Sequence, residues 1–220
     1  PDRGGFSELA VVPAGHAFGV PADLPALYAP LVEPFAVGLH GVAAGEVGPG
    51  DHVLIVGAGG VGLTTAAWVQ ARDAERITVA DLDPTRRKAA RSVGATDVLS
   101  SVADADPGGY HVVIECVGLP ELIESATAAA RARGRIVIAG ACERPFEVEP
   151  INALLQELSF RFSVAYRPDE FRTVVETFAT GLIDPSLVLG PTVGLDRVGD
   201  AFEIVRSASA EGRVIVAPAA

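Results

Sequence analysis

Three of the four glycines in Gly57-Ala58-Gly59-Gly60-Val61-Gly62 fall at the G-x-G-x-x-G spacing of a loop that can hold phosphate against bare backbone. An apolar strand, Val53-Leu54-Ile55-Val56, runs directly into this loop, and an amphipathic helix runs directly out of it. In that setting Gly57 permits the tight turn, Gly59 keeps a side chain away from a pyrophosphate, and Gly62 lets helix and strand pack closely. Backbone N–H groups at the helix start, Gly60 and Val61 among them, would face the phosphates with the positive end of the helix dipole behind them. The plainer alternative is a glycine turn that binds nothing. A dinucleotide site also calls for a carboxylate about 20 positions further on, at the end of the second strand. Asp81 stands there, after Ile77-Thr78-Val79-Ala80. It can accept both ribose hydroxyls of NAD. A 2′-phosphate ~4 Å away would instead meet repulsion of about 4 kcal/mol at an effective dielectric of ~20. The implied cofactor is NAD in preference to NADP. Arg86 could stack on the adenine or soften that preference. A helix cap or surface carboxylate is the competing reading of Asp81, and a solvated helix residue that of Arg86.

Other reactive side chains are isolated. Glu33 and Pro34 are expected to open a helix that ends at Ala44, with Glu33 as its N-cap and Pro34 at the first position, where its missing N–H is harmless. A carboxylate there is either a dipole-favoured cap or a hard oxygen ligand for a metal. His40 lies two turns on along the same face and reads as a core or interface histidine rather than a catalytic one. Cys116 ends a strand with no nucleophilic or metal partner in view, the pattern of a buried inert thiol. His16, His52 and His111 suggest nothing. No Ser/His/Asp order and no G-x-S-x-G elbow occurs, so no catalytic residue is assigned.

Around these positions the chain alternates short apolar strands with helices. Strands are expected at Val53–Val56, Ile77–Ala80, Val98–Leu99, Val112–Glu115 and Ile136–Ala139, and helices near 61–72, 84–92 and 120–132. Runs this apolar suit strands covered on both faces. Strand–helix alternation at this pitch gives right-handed crossovers and a doubly wound parallel α/β sheet, the Rossmann arrangement. Further strands are expected over 6–12, Leu158–Val164 and Arg213–Val216, and helices near 168–180 and 196–208. The 220 residues are 49% hydrophobic, enough for a packed core. A net charge of -11 argues against a nucleic-acid partner. With no run of about 18 apolar residues, no membrane span is expected. Two cysteines, Cys116 and Cys142, make neither a disulfide framework nor a zinc site, and the expected compartment is the cytoplasm. The chain has no methionine, so it reads as the C-terminal part of something longer. In that case apolar surface should be exposed along 6–12 and 213–216.

Taken together, Gly57–Gly62, Asp81 and the stretch Asp83–Ala95 resemble the zinc-dependent medium-chain dehydrogenases of the alcohol dehydrogenase superfamily. Leu31-Val32-Glu33-Pro34-Phe35-Ala36-Val37-Gly38-Leu39-His40 is similar to the polyol and threonine dehydrogenase branch. Val113–Gly118, Gly134–Gly140, Asp200–Glu203 and Gly212–Val216 continue the likeness to the end of the chain. The resemblance implies an oxidoreductase that moves a hydride between NAD and a polyol, amino-alcohol or other secondary alcohol, and that works as a homodimer or homotetramer. It implies that 1–32 is the tail of a partly β-barrel, GroES-like catalytic domain, 33–165 the nucleotide-binding domain and 166–220 the return segment. It places Cys116, Val117, Ala139, Gly140 and Val164 beside the nicotinamide and Glu33 at the catalytic Zn2+. The Cys and His-Glu zinc ligands of the family are absent from this sequence, so the metal of the intact enzyme would be held mostly elsewhere and this chain alone would be inactive. Two other readings remain: a stand-alone module that binds dinucleotide or mediates assembly without catalysis, and a methyltransferase whose glycine loop takes S-adenosylmethionine.

Overall fold

A computed structural model describes residues 5–207 and 212–218. Its centre is a six-stranded parallel sheet of β1 (His52–Val56), β2 (Arg76–Ala80), β3 (Asp97–Leu99), β4 (Tyr110–Glu115), β5 (Ala130–Ile138) and β6 (Ser159–Phe162). Their spatial order is β3-β2-β1-β4-β5-β6, so the winding reverses between β1 and β4. Ligands of such sheets sit beyond the carboxyl ends of the strands at that reversal.

The central strands are apolar over Val53–Val56, Val112–Ile114 and Ile136–Ile138 because alternate residues feed two separate cores. Val53, Ile55, Val112, Ile114 and Val137 point into one core, shared with α1 (Val32–Ala44), α2 (Gly60–Ala71), α3 (Pro84–Ser92) and α6 (Pro168–Thr180). Leu54, Val56, Val113, Ile136 and Ile138 point into the other, shared with α4 (Ile123–Ala129). A short α5 (Pro150–Leu155) precedes β6. Beyond α6, β7 (Leu189–Gly194) and β8 (Arg213–Ala217) pair in parallel on either side of α7 (Val198–Arg206).

Several sequence expectations need correction. Residues 6–12 form no strand and no ladder with any described segment, and Leu9 and Val11 lie exposed. Residues 213–216 pair with β7, a strand not foreseen, and Ile215 is buried. Helix α1 begins before Glu33: a 3-10 turn, Ala26–Leu31, feeds straight into it with Leu31 at the N-cap. Glu33 is therefore an exposed first-turn residue rather than the cap. The helix expected over 120–132 is α4 alone, behind a 3-10 turn at Pro120–Leu122. Ala130 already pairs with Tyr110 in the sheet, and that pairing ends the helix. The last residue of the helix expected over 196–208 lies outside the described residues, as do positions 1–4 of the expected N-terminal tail.

Among the described residues one helical run, Ala26–Ala44, is long and apolar enough to cross a membrane by length and composition. Its apolarity serves the core: Leu31, Val32, Phe35, Ala36 and Leu39 are buried against neighbouring elements. The Trp68 indole on α2 donates to the Phe35 carbonyl at 2.8 Å, and Thr64 Oγ1 donates to that of Pro34 at 3.0 Å. The start of α1 is thus pinned beside the glycine-led start of α2.

Candidate dinucleotide-binding crevice

The loop leaving β1 is fixed by contacts that only glycine permits. Gly57 has φ +95°, and a Cβ there would lie 2.5 Å from a Val117 methyl. A Cβ on Gly62 would overlap the Gly57 carbonyl oxygen, so the third glycine lets α2 close onto β1. Gly59 differs from both. A Cβ on it would meet no protein atom within 4 Å, so the space before it is open to a ligand. Helix α2 starts at Gly60, with Gly59 as N-cap and no side chain capping it. The N–H groups of its first turn, on Gly60, Val61 and Gly62, have no carbonyl of the same helix to bond and are the donors a phosphate site uses.

Opposite lies the end of β2. Asp81 is only 10% exposed and its two carboxylate oxygens do different work. Oδ2 accepts the Ala58 N–H at 2.8 Å, tying the glycine loop to β2, while Oδ1 accepts the Asp83 N–H at 2.9 Å. Helix α3 is capped by Asp83, whose Oδ1 accepts from Thr85 N–H at 2.7 Å. Arg86 reaches to 3.9 Å from Asp81 Oδ2 and stays more than a third exposed. A cleft of about 420 Å3 joins Gly57, Gly59, Asp81 and Arg86 to Cys116 and Val117, with Val102, Leu119 and Leu122 as an apolar wall.

A second hollow of about 300 Å3 adjoins it across Gly59 and Arg86 and contains Arg213, at the start of β8. A Cβ on Gly60 would fall 2.6 Å from the Arg213 guanidinium, which therefore lies against the opening of α2. Two arginines thus flank the helix start. Arg213 was missed in the sequence because nothing local ties residue 213 to residue 60, although a lone cation after Gly212 at the head of an apolar strand was the available signal.

Past the reversal lie the turns after β4, β5 and β6. Here the backbone is already committed. Cys116 N–H donates to the Val56 carbonyl at 2.9 Å, and Val117 N–H donates to Glu115 Oε1 at 2.7 Å. Ala139 and Gly140 donate their N–H groups to the Glu115 carbonyl at 2.8 and 2.9 Å. What these residues can offer a ligand is carbonyl oxygen and the half-exposed Val117 isopropyl group, not amide donors. Val164 is exposed in the turn after β6, next to Ala165 at φ +54°. Ala139, Gly140 and Val164 do not line the cleft that holds Asp81; they follow β5 and β6, on the other side of the reversal.

Burial first, and then the neighbouring Glu115 carboxylate, push the Cys116 thiol up to about 12. That leaves it protonated and a poor nucleophile or ligand at neutral pH. His40 does not reach into the crevice. Its Nδ1 lies 3.0 Å from both carboxylate oxygens of buried Glu170, the N-terminal-turn residue of α6 that also accepts the Arg167 N–H at 2.7 Å. No group of three or more His, Cys, Asp or Glu side chains able to hold a metal occurs among the described residues. Glu33 is a single oxygen donor and does not fit a zinc site by itself.

The zinc-binding dehydrogenase family profile matches residues 60–180. The (R,R)-butanediol dehydrogenase of Bacillus subtilis is 27% identical over 98% of this chain and 64% of its own length. A Sinorhizobium meliloti protein assigned as a zinc-binding dehydrogenase, solved bound to NADP, superposes with a TM-score of 0.88 at 32% identity, over 98% of this chain and 66% of that one. An alcohol dehydrogenase of Escherichia coli, solved with NADH, gives a TM-score of 0.89 at 27% identity over 96% of this chain and 65% of that one. The chain spans less than two thirds of each of these relatives.

Proposed function

The chain belongs to the zinc-binding dehydrogenase family, and from that premise we propose that it is the nucleotide-binding part of an NAD-dependent alcohol dehydrogenase. Residues 33–165 would grip the cofactor, while 1–32 and 166–220 would belong to a GroES-like catalytic domain. The observation that carries this reading is the open space before Gly59, bounded by the uncapped start of α2 on one side and by the buried Asp81 carboxylate on the other.

Bound there, NAD would supply the hydride acceptor. The protein's own residues bind and orient it. The α2 N–H groups, with Arg213 and Arg86 beside them, meet the pyrophosphate, and Asp81 takes the adenosine ribose hydroxyls with the lone pairs left by Ala58 and Asp83. The wall of Val102, Leu119 and Leu122 keeps water from the adenine. Across the reversal, Val117 and the carbonyls of the turns after β4, β5 and β6 hold the nicotinamide face. Of the metal's ligands this chain offers Glu33 alone, and one carboxylate does not hold zinc. The reading therefore places the remaining ligands outside this sequence.

The substrate class is an alcohol–ketone pair, a polyol, amino-alcohol or other secondary alcohol, in keeping with the diol named for the Bacillus relative. A homodimer built on the edge of β6 fits the same reading. The cofactor choice is tested at Asp81. NADH and NADPH titrated against the protein, followed by quenching of its one tryptophan, should favour NADH. Asp81→Ala should shift the ratio towards NADPH by about tenfold, ~1.4 kcal/mol. An unchanged ratio would remove Asp81 from the ribose site.

A further inference from the structure

We propose that Glu115 is the positioning residue of the nicotinamide half of the crevice, its carboxylate clamping the turn after β4 to the turn after β5. The inference rests on the dinucleotide reading above. Glu115 is the last residue of β4, in register with Val56 of β1 and Ile138 of β5, and so stands at the point where the strand order reverses. It is fully buried, with no exposed surface. An ionisable side chain in that place would be expected to serve a specific geometry, because burial disfavours its charged form.

That geometry is visible. One oxygen, Oε1, accepts the N–H groups of Val117 at 2.7 Å and Gly118 at 2.8 Å, folding the chain sharply back after β4. The other, Oε2, has no hydrogen-bond partner and points at the next turn, where a Cβ on Gly140 would lie 2.7 Å from it. Gly140 and Gly118 are themselves in contact. A Cβ on Gly140 would overlap the Gly118 N, and one on Gly118 would lie 2.6 Å from the Ala141 carbonyl oxygen. Gly118 also needs its φ of +84°. The two turns therefore interlock around a single carboxyl group, leaving neither free to shift alone.

Val117 transmits the arrangement outward. Its methyl group abuts Gly57 of the glycine loop, and its half-exposed side chain lines the cleft. A dinucleotide spread across the reversal has its adenosine half on β1–β2 and its nicotinamide half beyond β4 and β5. The Glu115 clamp sets the second half directly and touches the first only through the Val117–Gly57 contact, whereas Asp81 sets the first through Ala58 and Asp83. Without a carboxylate the Val117 and Gly118 N–H groups would be left unpaired, and the turn would relax towards the nicotinamide.

The test uses the full-length protein and two ligands, NADH and ADP-ribose, the latter lacking the nicotinamide. Glu115→Leu should weaken NADH by at least ~10-fold and leave ADP-ribose within ~2-fold. Glu115→Gln keeps one side-chain oxygen to accept both N–H groups and should restore NADH binding. Should the leucine variant fail to fold, Glu115→Asp decides: its shorter chain keeps the charge but not the reach, and it should show the same selective loss. Equal weakening of both ligands, no weakening of either, or failure of glutamine to rescue would overturn the clamp while leaving the cofactor reading intact. A wild-type protein that binds neither ligand would overturn the cofactor reading, and the clamp with it.

Discussion

In the folded chain Glu115 has exchanged water for two backbone N–H groups. The exchange is unequal: burial pushes its carboxyl above the ordinary range, and the Gly118 and Val117 N–H groups pull it only part of the way back. A carboxyl whose folded value is raised binds its proton more tightly in the native state than in the unfolded one. Its contribution is complete below the ordinary carboxylate range, about 4.3, and is lost as pH rises through the raised folded value. Glutamine at this position has no proton to lose. The difference in urea midpoint between wild type and Glu115→Gln should therefore move against wild type as pH climbs from about 5 to 8. A difference independent of pH would show that Glu115 is as ionised folded as unfolded. Little of this was legible in the sequence. Val113-Ile114-Glu115-Cys116-Val117-Gly118 marks a strand running into a turn, but the acid in it looked like a strand end. Only the through-space closeness of Gly118 and Gly140, which lie on different turns, shows that it is a centre. Gly57, Gly59 and Gly62 were legible because their constraint is local, written within a few residues of the strand and helix they join.

At the scale of elements, α1 and α6 belong to segments far apart in the chain and meet through one polar contact inside an apolar interface. Phe35 and Phe178 stack edge-on at 5.0 Å, and nearby His40 shares both oxygens of Glu170. Glu170 also receives the Arg167 N–H, so it caps α6 and docks the helix at once. Truncating it leaves a half-buried ring nitrogen and a backbone donor without partners, which costs roughly 1–3 kcal/mol. The neighbouring Arg167–Asp169 pair is shorter, at 2.8 Å, but both side chains are more than 60% exposed, and pairs of that kind contribute about 0–1 kcal/mol. Burial decides between them. Glu170→Ala should therefore lower the urea midpoint well beyond Asp169→Ala, and equal losses would mean that the α1–α6 contact does not depend on this carboxylate. The sequence located a helix near 168–180, and it read His40 as a core or interface histidine. It gave no partner for that histidine, since the partner lies 130 positions away.

For the whole molecule, the doubly wound parallel sheet was legible from alternation and apolarity, because parallel strands buried on both faces leave few topologies. The two ends of the sheet were not, since what covers an edge is a matter of the assembled surface. The two edges differ. On one side β3 has only three residues, and its Asp97 is engaged by Arg76 at 3.0 Å, which makes a short and charged border. On the other, β6 has no further strand paired to it among the described residues; its own Phe162 is 70% exposed, with Leu154 and Leu155 of α5 at 70% and 72%. Unprotected edges invite another strand, and apolar residues beside them supply area for a partner. A second copy that placed its own β6 against this one would continue the sheet through a two-fold axis, an interface in which each copy offers the same patch. On this argument the wild-type protein should elute at about twice its chain mass, and the double variant Leu155→Glu, Phe162→Asp at about once. A wild-type monomer at ~10 μM, or a double variant that stays dimeric, would move the interface elsewhere on the molecule.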